Sequence, residues 1–501
     1  MEDNHDIIII GGGLGGLLCG AILSKNGYNI AIIEQNNKVG GCLDSYARDG
    51  ALFETGVHYV GGLDKGQNLY QIFKYVGIIN SLKLERLDLD NFDTIVFENN
   101  PKRYSFAQSY DRFIETLAKD FPKEREGIKK YCDKIKDICI RFPLYNLKYG
   151  SFMDKLDLLN ISAIETINSC VTDPILCNVL AGNNGLYAGV AEKTPFYIHA
   201  LILNSYIESA WRTIGGGIQI ARGLTKIIEN NGGTIITKTK VEKIITQNGI
   251  ASKVITTDNR EFSGKYFISD LHPATTISMT ETDVFRKAYI HRINSLENTI
   301  GSFTLNVAFK ENTFPHMNYN LYCFTQNNVW SGINYNNSDW PVSYVYFSSS
   351  LNQKTAHSAS ILVMTKYSEF EKWHNTFNTI YKPGDRGSGY EEFKQEKAER
   401  LINLVEKTLP GFKKSIDKYH TLTPLTYRDY IGSPDGSLYG VLRDYREPLK
   451  TFIPARTKIP NLFLTGQNLN IHGVLGVSVS SLITCGELLG IESLLEQINK
   501  S

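Results

Sequence analysis

The sequence has almost no excess of charge of either sign. Lysine and arginine together number 53 and aspartate and glutamate 52, so the formal net charge is +1. A protein that holds a phosphate backbone by electrostatic attraction needs a basic surplus or a basic patch. We therefore expect no nucleic-acid partner.

Long apolar runs are also missing. None reaches the roughly 18 to 20 residues that a helix needs to cross a bilayer. The first predicted strand begins at about Asp6 with no basic leader before it, so a secretory signal is not expected. We predict a cytoplasmic protein and leave peripheral contact with a membrane open.

The 8 cysteines are scattered and include no C-x-x-C pair. No cysteine and histidine cluster has metal-ligand spacing, so we predict no metal site. The pairs Cys132/Cys139 and Cys170/Cys177 recur at helical spacing, which favours core packing over redox chemistry. Reduced thiols are typical of a cytosolic protein.

The composition, 42% hydrophobic, is that of an ordinary globular protein. The length of 501 residues predicts two or three domains. The most informative stretch is 6–35, which has the pattern strand, glycine turn, helix, strand. Ile7 to Ile10 form an apolar β-branched run, as expected of a strand buried on both faces. Gly11, Gly13 and Gly16 follow as G-x-G-x-x-G.

There is a physical reason for a glycine at each of these three positions. Gly11 permits the tight turn, Gly13 lets a pyrophosphate approach the backbone, and Gly16 lets the helix pack on the sheet. The helix N-terminus offers N–H groups and a positive dipole end to phosphates. Glu34 ends the second strand, where its carboxylate can accept hydrogen bonds from ribose hydroxyls and would repel a 2′-phosphate. The pattern predicts FAD or NAD rather than NADP.

The residues that follow distinguish an FAD-binding site from an NAD-binding site. Gly40 and Gly41 follow the second strand, and the tetrapeptide FETG at 53–56 comes soon after. This arrangement is typical of FAD enzymes of the two-dinucleotide-binding type, because the glycines let a loop pass under the ribityl and pyrophosphate segment. It favours FAD.

The rest of the chain divides by its hydrophobic period. Residues 68–210 show mostly helical spacing, and 142–161 is predicted as a core helix or, less favoured, as an amphipathic surface that touches lipid. Residues 295–366 are rich in short strand patterns. Residues 461–490 contain a strand, a turn and a helix that begins at 473–476, whose N-terminus would point at the flavin's pyrimidine edge.

The chain resembles the phytoene desaturase, carotenoid isomerase and retinol saturase family of FAD oxidoreductases. Six pieces carry the resemblance, in the right order over nearly the whole chain: IIIGGGLGGL, EQNNKVGGC, FETGVHYVGG, GGGIQIARGL, NGGTIIT and LFLTGQNLNIHGVLG. The implied fold class is α/β, or α+β overall. It comprises a discontinuous Rossmann-type FAD-binding domain (1–90, 211–290 and 440–501), a helical cap that meets membranes (91–210) and a mainly antiparallel β-sheet substrate domain (291–439).

By position, the resemblance implies that residues at both ends of the chain bind FAD. They are Gly11, Gly13, Leu14, Gly16, Glu34, Gln35, Gly40, Gly41, Val241, Gly466, Gln467, Asn468, Gly476 and Val477. Val241 would hold the adenine through main-chain groups. The family often has an acid where this chain has Asn468, which can bond the ribityl chain but brings no negative charge.

The implied activity is hydride transfer between flavin and a C=C or CH–CH unit of a polyene or isoprenoid lipid. The candidate catalytic residues are His58, Glu54 and His472, because such a transfer also moves a proton. Imidazole changes charge near neutral pH. Glu54 is more expected to bind backbone N–H groups, and the helix start after His472 is expected to lower its pKa.

Two other functions remain open at this point. One is a redox-neutral flavin isomerase that flips a cis double bond, and the other is a flavin-fold escort protein with no turnover of its own. Amine oxidation is disfavoured, because the terminal motif has no aromatic pair to cage an amine. Asp270 and His272, at a strand end, are predicted only to cap a turn.

Overall fold

The computed structural model describes residues 3–150, 152–379 and 382–501. The strands are β1 (Asp3–Ile10), β2 (Ile30–Ile33), β3 (Ser45–Arg48), β4 (Ala51–Glu54), β5 (Val60–Gly61), β6 (Leu84–Arg86), β7 (Asp93–Phe97), β8 (Asn100–Phe106), β9 (Ala210–Thr213), β10 (Thr234–Ile236), β11 (Val241–Gln247), β12 (Ile250–Thr256), β13 (Glu261–Ser269), β14 (Thr280–Glu281), β15 (Gly301–Phe309), β16 (Asn320–Phe324), β17 (Ser343–Ser350), β18 (Ala356–Thr365), β19 (Ile416–Leu422) and β20 (Leu462–Leu464).

The α-helices, in the same order, are α1 (Leu14–Lys25), α2 (Asn68–Val76), α3 (Tyr110–Asp120), α4 (Arg125–Ile140), α5 (Ala163–Asn168), α6 (Pro174–Leu180), α7 (Phe196–Glu208), α8 (Ile218–Asn230), α9 (Pro273–Ser278), α10 (Lys287–Asn294), α11 (Ser388–Thr408), α12 (Phe412–Ser415), α13 (Pro424–Ile431), α14 (Pro448–Thr451), α15 (Gly473–Leu489) and α16 (Ile491–Lys500).

The first sheet joins both ends of the chain. Its strand order is β10-β2-β1-β13-β12-β11-β14, with β20 also paired to β13. The segment β10-β2-β1-β13-β20 is parallel throughout. Ile7, Ile8 and Ile9 are each 0% exposed, because helices α1, α8 and α15 cover one face and a second apolar cluster covers the other. This layered parallel sheet is the predicted discontinuous Rossmann-type unit.

The second sheet has the order β19-β15-β18-β17-β16-β7-β8 and is antiparallel except between β16 and β7. Its side chains alternate between two faces, as the strand period requires. Tyr346 and Ile361 pack toward helix α11, whereas Tyr322, Phe347 and Leu362 point to the opposite side. That opposite side forms a wall of the cavity described below.

The structure differs from the sequence analysis in two places. Strands β7 and β8 lie inside the range predicted as the helical cap, yet they complete the second sheet through the parallel pairing of β7 with β16. Such a non-local pairing leaves no local signal. The stretch 142–161 contains 3₁₀ turns at Pro143–Asn146 and Phe152–Leu158 in place of the predicted helix.

Helices α3, α4 and α7 pack together beside the second sheet and form the largest apolar cluster with it. Among the described residues, no single helix combines the length and the hydropathy needed to cross a membrane. Helices α15 and α16 meet that test only as a pair bent by 119°, and only by length and composition.

Candidate functional site

A cavity of about 510 Å³ lies at the carboxyl ends of the parallel strands. Its floor includes Gly11 after β1, Glu34 after β2 and Asp270 after β13. Parallel α/β sheets bind ligands at this edge. The inner face of the second sheet and helix α7 supply the other walls, through residues such as Phe347 and Leu201.

The N-terminus of α1 meets this cavity without a side-chain cap. Gly13 is the N-cap residue, and Gly13, Leu14 and Gly15 line the cavity. Gly11 has a φ of +99°, which L side chains rarely adopt. A Cβ on Gly16 would lie 2.1 Å from the Gly11 carbonyl oxygen, so only glycine allows this helix to pack so close. The first turn can therefore offer backbone N–H groups to an anion.

Glu34 is buried at the end of β2, and backbone N–H groups hold both of its carboxylate oxygens. Oε2 accepts a hydrogen bond from Gly12 at 2.7 Å, and Oε1 accepts one from Asn36 at 2.8 Å. Burial raises the pKa of Glu34, while these bonds oppose that rise. The carboxylate is thereby fixed in the cavity wall as an acceptor for ligand hydroxyls.

Asp270 lies against the same helix N-terminus, a position that the sequence analysis missed. Its Oδ2 accepts a hydrogen bond from the Gly16 N–H at 3.0 Å. A Cβ on Gly15 or on Gly466 would lie 2.3 Å from its Oδ1. Burial raises the pKa of Asp270 to about 7, and the negative charge of Glu34 adds to the rise. The available signal was an acid that directly follows a strand of the dinucleotide-binding sheet.

The C-terminal motif reaches the cavity next to α1. Gly466 has a φ of +91°, and its Cα would lie 2.9 Å from a Cβ on Gly15, so the two backbones touch. Gln467 and Asn468 line the cavity. Asn468 Oδ1 accepts a hydrogen bond from the Val441 N–H at 3.0 Å. The Asn468 amide therefore anchors a neighbouring loop.

Helix α15 presents a second N-terminus to the cavity, again without a side-chain cap. His472 is its N-cap residue, and Gly473, Val474 and Gly476 of its first turn line the cavity. A helix start stabilises negative charge placed before it. The phosphate, ribose and ring portions of a flavin dinucleotide fit this arrangement. It combines two such N-termini, a fixed acceptor at Glu34 and close backbone contacts that only glycine allows.

The structure gathers most of the predicted cofactor-binding residues on the cavity wall. Those that line it are Gly11, Gly13, Leu14, Glu34, Gln35, Gly40, Gly41, Val241, Gln467, Asn468, Gly476 and Val477. Gly16 and Gly466 pack directly behind it. Their contacts with a cofactor stay predictions.

His58 and Glu54 lie side by side, with Nδ1 and Oε2 separated by 3.4 Å. The imidazole lines the cavity and stacks on Phe347, with ring centroids 4.2 Å apart. Glu54 sits behind it, where its Oε1 accepts a hydrogen bond from Thr213 Oγ1 at 3.4 Å. Of the pair, His58 is placed to meet a ligand and Glu54 to orient His58.

His472 is held for a structural purpose. Its Nε2 donates to the Leu186 carbonyl oxygen at 2.8 Å, and its ring stacks on Tyr439 at 4.2 Å. Burial lowers the pKa of His472 to about 4, with a smaller contribution from Arg443. The lowered pKa agrees with the sequence analysis, but its main cause is burial rather than the helix start. A neutral imidazole of this kind is a weak proton donor at neutral pH.

The sequence analysis did not single out several other residues that line the cavity. Cys42 is one, and burial raises the pKa of its thiol to about 11, so it stays protonated. Tyr59 and Tyr322 are two more. Arg443 is another, and it donates to the carbonyl oxygens of Asn468 and Thr451.

A family model, the NAD(P)-binding Rossmann-like domain, matches residues 9–76. Together with the layered parallel sheet and the two helix N-termini, this match indicates a dinucleotide-binding domain. The predicted fold class and the prediction of an oxidoreductase are confirmed.

Two known proteins are similar to this chain over nearly its full length. Human all-trans-retinol 13,14-reductase is 26% identical over 534 residues, which covers 98% of this chain and 86% of the relative. Prolycopene isomerase of Arabidopsis thaliana is 26% identical over the same length, covering 99% of this chain and 84% of the relative. The predicted resemblance to the retinol saturase and carotenoid isomerase branch is therefore confirmed.

Among solved structures, a putrescine oxidase bound to putrescine superposes with a TM-score of 0.64. The identity is 12%, and the alignment covers 99% of each chain. At this identity the likeness shows the fold alone.

Proposed function

We propose that the chain is an FAD-dependent oxidoreductase that transfers hydride between flavin and a C=C or CH–CH unit of a polyene or isoprenoid lipid. The observation that carries this proposal is the meeting of α1 and α15, both uncapped, on one cavity whose far walls are apolar. We favour reduction of a C=C bond over desaturation, because the human relative is a retinol reductase.

The path of the chain after β2 supports FAD over NAD. Gly40 forms an isolated parallel bridge with Gly13, and its N–H donates to the Gly12 carbonyl oxygen at 2.7 Å. Gly40 and Gly41 have φ values of +132° and +54°. The backbone thus turns back beneath the glycine motif and forms only a short 3₁₀ turn (Gly41–Leu43) instead of an α-helix, as expected for a loop that supports a ribityl chain.

The substrate end of the cavity supports a long apolar ligand. Val345, Phe347 and Leu362 line it from the second sheet, and Leu159 and Leu201 from the helical side. A polyene has no charged group to recognise, so its affinity must come from burial, at about 25 cal/mol per Å² of apolar surface. These walls provide such a surface and exclude water.

Bound FAD supplies the redox chemistry. The protein supplies position and protons. Glu34 would accept hydrogen bonds from the ribose, the first turn of α1 would hold the phosphates, and the start of α15 would stabilise negative charge on the ring. His58 lies on the cavity wall within reach of a ligand.

A redox-neutral polyene isomerase is the second candidate, and the Arabidopsis relative supports it. The same cofactor site would serve it. The two functions differ in hydrogen balance, because reduction adds two hydrogens to the product and isomerisation adds none.

The test uses purified protein with its bound FAD under anaerobic conditions. The flavin is reduced with dithionite and mixed with all-trans-retinol or with a cis-carotenoid, and the products are analysed by mass spectrometry. A product that gains two hydrogens while the flavin is reoxidised supports the proposal. A product of unchanged mass supports the isomerase, and a holoprotein that converts none of these polyenes contradicts both.

We also propose that the protein is cytoplasmic and touches membranes peripherally. Ile140 is 73% and Tyr149 is 61% exposed. They flank residues 142–145, which line the cavity. An apolar substrate would enter most easily from lipid at this place.

A further inference from the structure

A chain of hydrogen bonds leads from the cavity wall into the interior of the protein. The Tyr322 and Tyr59 hydroxyl oxygens are 2.6 Å apart, and Tyr59 donates to Asp93 Oδ2 at 2.9 Å. Both tyrosines line the cavity, whereas Asp93 is 0% exposed. Two tyrosine side chains thus connect the cavity to a buried carboxyl group.

Asp93 forms no ion pair with any residue in the part of the chain that the structure describes. Its second oxygen accepts a hydrogen bond from Asn320 Nδ2 at 2.9 Å. Arg212 donates a hydrogen bond to Asn320 Oδ1, at 3.4 Å, rather than to Asp93. Burial raises the pKa of Asp93 to about 7, since two neutral donors compensate the lost hydration only in part.

The other groups that face this chain carry no charge that would pin Asp93 in one form. The Tyr206 ring lies tilted against the Tyr59 ring with centroids 4.4 Å apart, and burial raises the pKa of both Tyr206 and Tyr439. The His58 imidazole lies beside Glu54, with Nδ1 and Oε2 3.4 Å apart, and its ring stacks on Phe347. Asp93 is therefore free to exchange its proton near neutral pH.

The protonation state of Asp93 sets which group donates in each hydrogen bond between Asp93, Tyr59 and Tyr322. When Asp93 is ionised, Tyr59 donates to it and Tyr322 donates to Tyr59, so Tyr322 presents only lone pairs to the cavity. When Asp93 is protonated, it donates to Tyr59, and Tyr59 donates to Tyr322. The Tyr322 O–H can then point into the cavity.

We propose that Tyr322 is the catalytic proton donor to the substrate and that Asp93 supplies the proton through Tyr59. This inference rests on the proposed reduction of a C=C bond. The hydride and its electron pair come from the reduced flavin and reach one carbon. The Tyr322 O–H bond breaks as a C–H bond forms at the neighbouring carbon. Tyr59 reprotonates Tyr322, Asp93 reprotonates Tyr59, and Asp93 regains a proton from solvent.

The first test compares Tyr322→Phe with a matched control, Tyr346→Phe, in the dithionite-reduced holoprotein with all-trans-retinol. Tyr346 is equally buried in the same sheet but faces α11, and its hydroxyl has no hydrogen-bond partner among the residues that the structure describes. We expect Tyr322→Phe to keep its FAD and retinol affinity and to lose about a hundredfold in rate. Tyr346→Phe should match the unmodified protein. A Tyr322→Phe rate within about threefold of the unmodified protein overturns the proposal.

A second readout is independent of turnover. Infrared titration of the holoprotein should show a buried carboxylic acid C=O band that disappears as the pH rises through about 7. Because burial also raises the pKa of Asp270 to about 7, the Asp93 band is identified as the part of this signal that is missing in Asp93→Asn. It should persist to higher pH in Tyr59→Phe, because the tyrosine hydrogen bond stabilises the carboxylate. A titration unchanged by Tyr59→Phe overturns the proposed relay.

The two tests separate this inference from the proposed function. If the unmodified protein binds no FAD or converts no polyene, the proposed function fails, whatever the infrared titration shows. If it reduces retinol and Tyr322→Phe does so at a similar rate, only the relay fails.

Discussion

The Asp270 carboxylate accepts a hydrogen bond from the Gly16 N–H at 3.0 Å, at the N-terminus of the helix where dinucleotide phosphates are expected to bind. The protein thus holds an ionisable acid of its own beside an anion site. Burial raises the pKa of Asp270 to about 7, so its charge changes near neutral pH.

This relationship predicts that FAD affinity falls as the pH rises through about 7. Below that pH Asp270 is mostly protonated, and above it a carboxylate repels the pyrophosphate. Asp270→Asn should bind FAD about tenfold more tightly at pH 8 and lose the pH dependence. Fluorescence titration of the apoprotein with FAD measures both.

Asp6→Asn is the control for Asp270→Asn, because Asp6 is an acid of the same domain that pairs with Lys265 at the surface. It should keep the unmodified pH dependence. A flat profile in the unmodified protein would exclude Asp270 as its determinant.

Gly13 and Gly16 should fail in different ways when replaced by alanine. A Cβ at Gly16 would lie 2.1 Å from the Gly11 carbonyl oxygen, so Gly16→Ala should lower the free energy of unfolding by about 1–3 kcal/mol. At Gly13 the nearest atom is Asp270 Oδ2 of a side chain, at 2.6 Å. Gly13→Ala should keep its apoprotein stability and lose FAD affinity.

Urea unfolding of the apoproteins, followed by FAD titration, distinguishes the two variants. Equal loss of stability in both would show that Gly13 serves packing and not ligand approach.

His472 should make the protein acid-sensitive. Burial lowers its pKa in the folded state to about 4 from an ordinary value near 6.5. The unfolded chain therefore takes up this proton first, and the stabilising contribution present above pH 6.5 is lost as the pH falls toward 4. His472→Gln should show a shallower loss of stability over this window in urea unfolding at several pH values.

Other buried histidines contribute to acid sensitivity as well, including His199. Only the difference between the unmodified protein and His472→Gln reports on His472. Parallel curves for the two proteins would contradict the assignment.

Membrane contact is expected at the exposed pair Ile140 and Tyr149. The unmodified protein should co-float with phosphatidylcholine vesicles, and the double variant Ile140→Ser, Tyr149→Ser should not. Leu351→Ser is the control. Leu351 is 81% exposed but lies in the loop between β17 and β18, away from residues 140–149 in the sequence. If Leu351→Ser abolishes flotation equally, the contact lies elsewhere.

The sequence predicted the parts of the site that local motifs encode. Gly11, Glu34, Asn468 and the start of α15 each belong to a strand, turn or helix pattern, and the structure brings them to one cavity. Strand β7 was not predicted, because its partner β16 lies more than two hundred residues further along the chain.

The same limit applies to the candidate proton donors. His58 and His472 were visible because they sit beside motifs. Asp93, Tyr59 and Tyr322 come together only when β7, β16 and the FETG region meet in space. A residue whose role depends on non-local contact has no pattern to mark it.

We expect one cavity, between the N-termini of α1 and α15, to bind one flavin dinucleotide. The most direct measurement is the FAD content of the purified protein, by absorbance and protein concentration, beside Glu34→Arg and the shape-conserving Glu34→Gln. We expect a yellow protein with about one FAD per chain, partial content in Glu34→Gln and a folded but colourless Glu34→Arg. Full flavin content in Glu34→Arg would contradict the ribose contact, and a protein that neither carries nor takes up FAD would contradict the whole account.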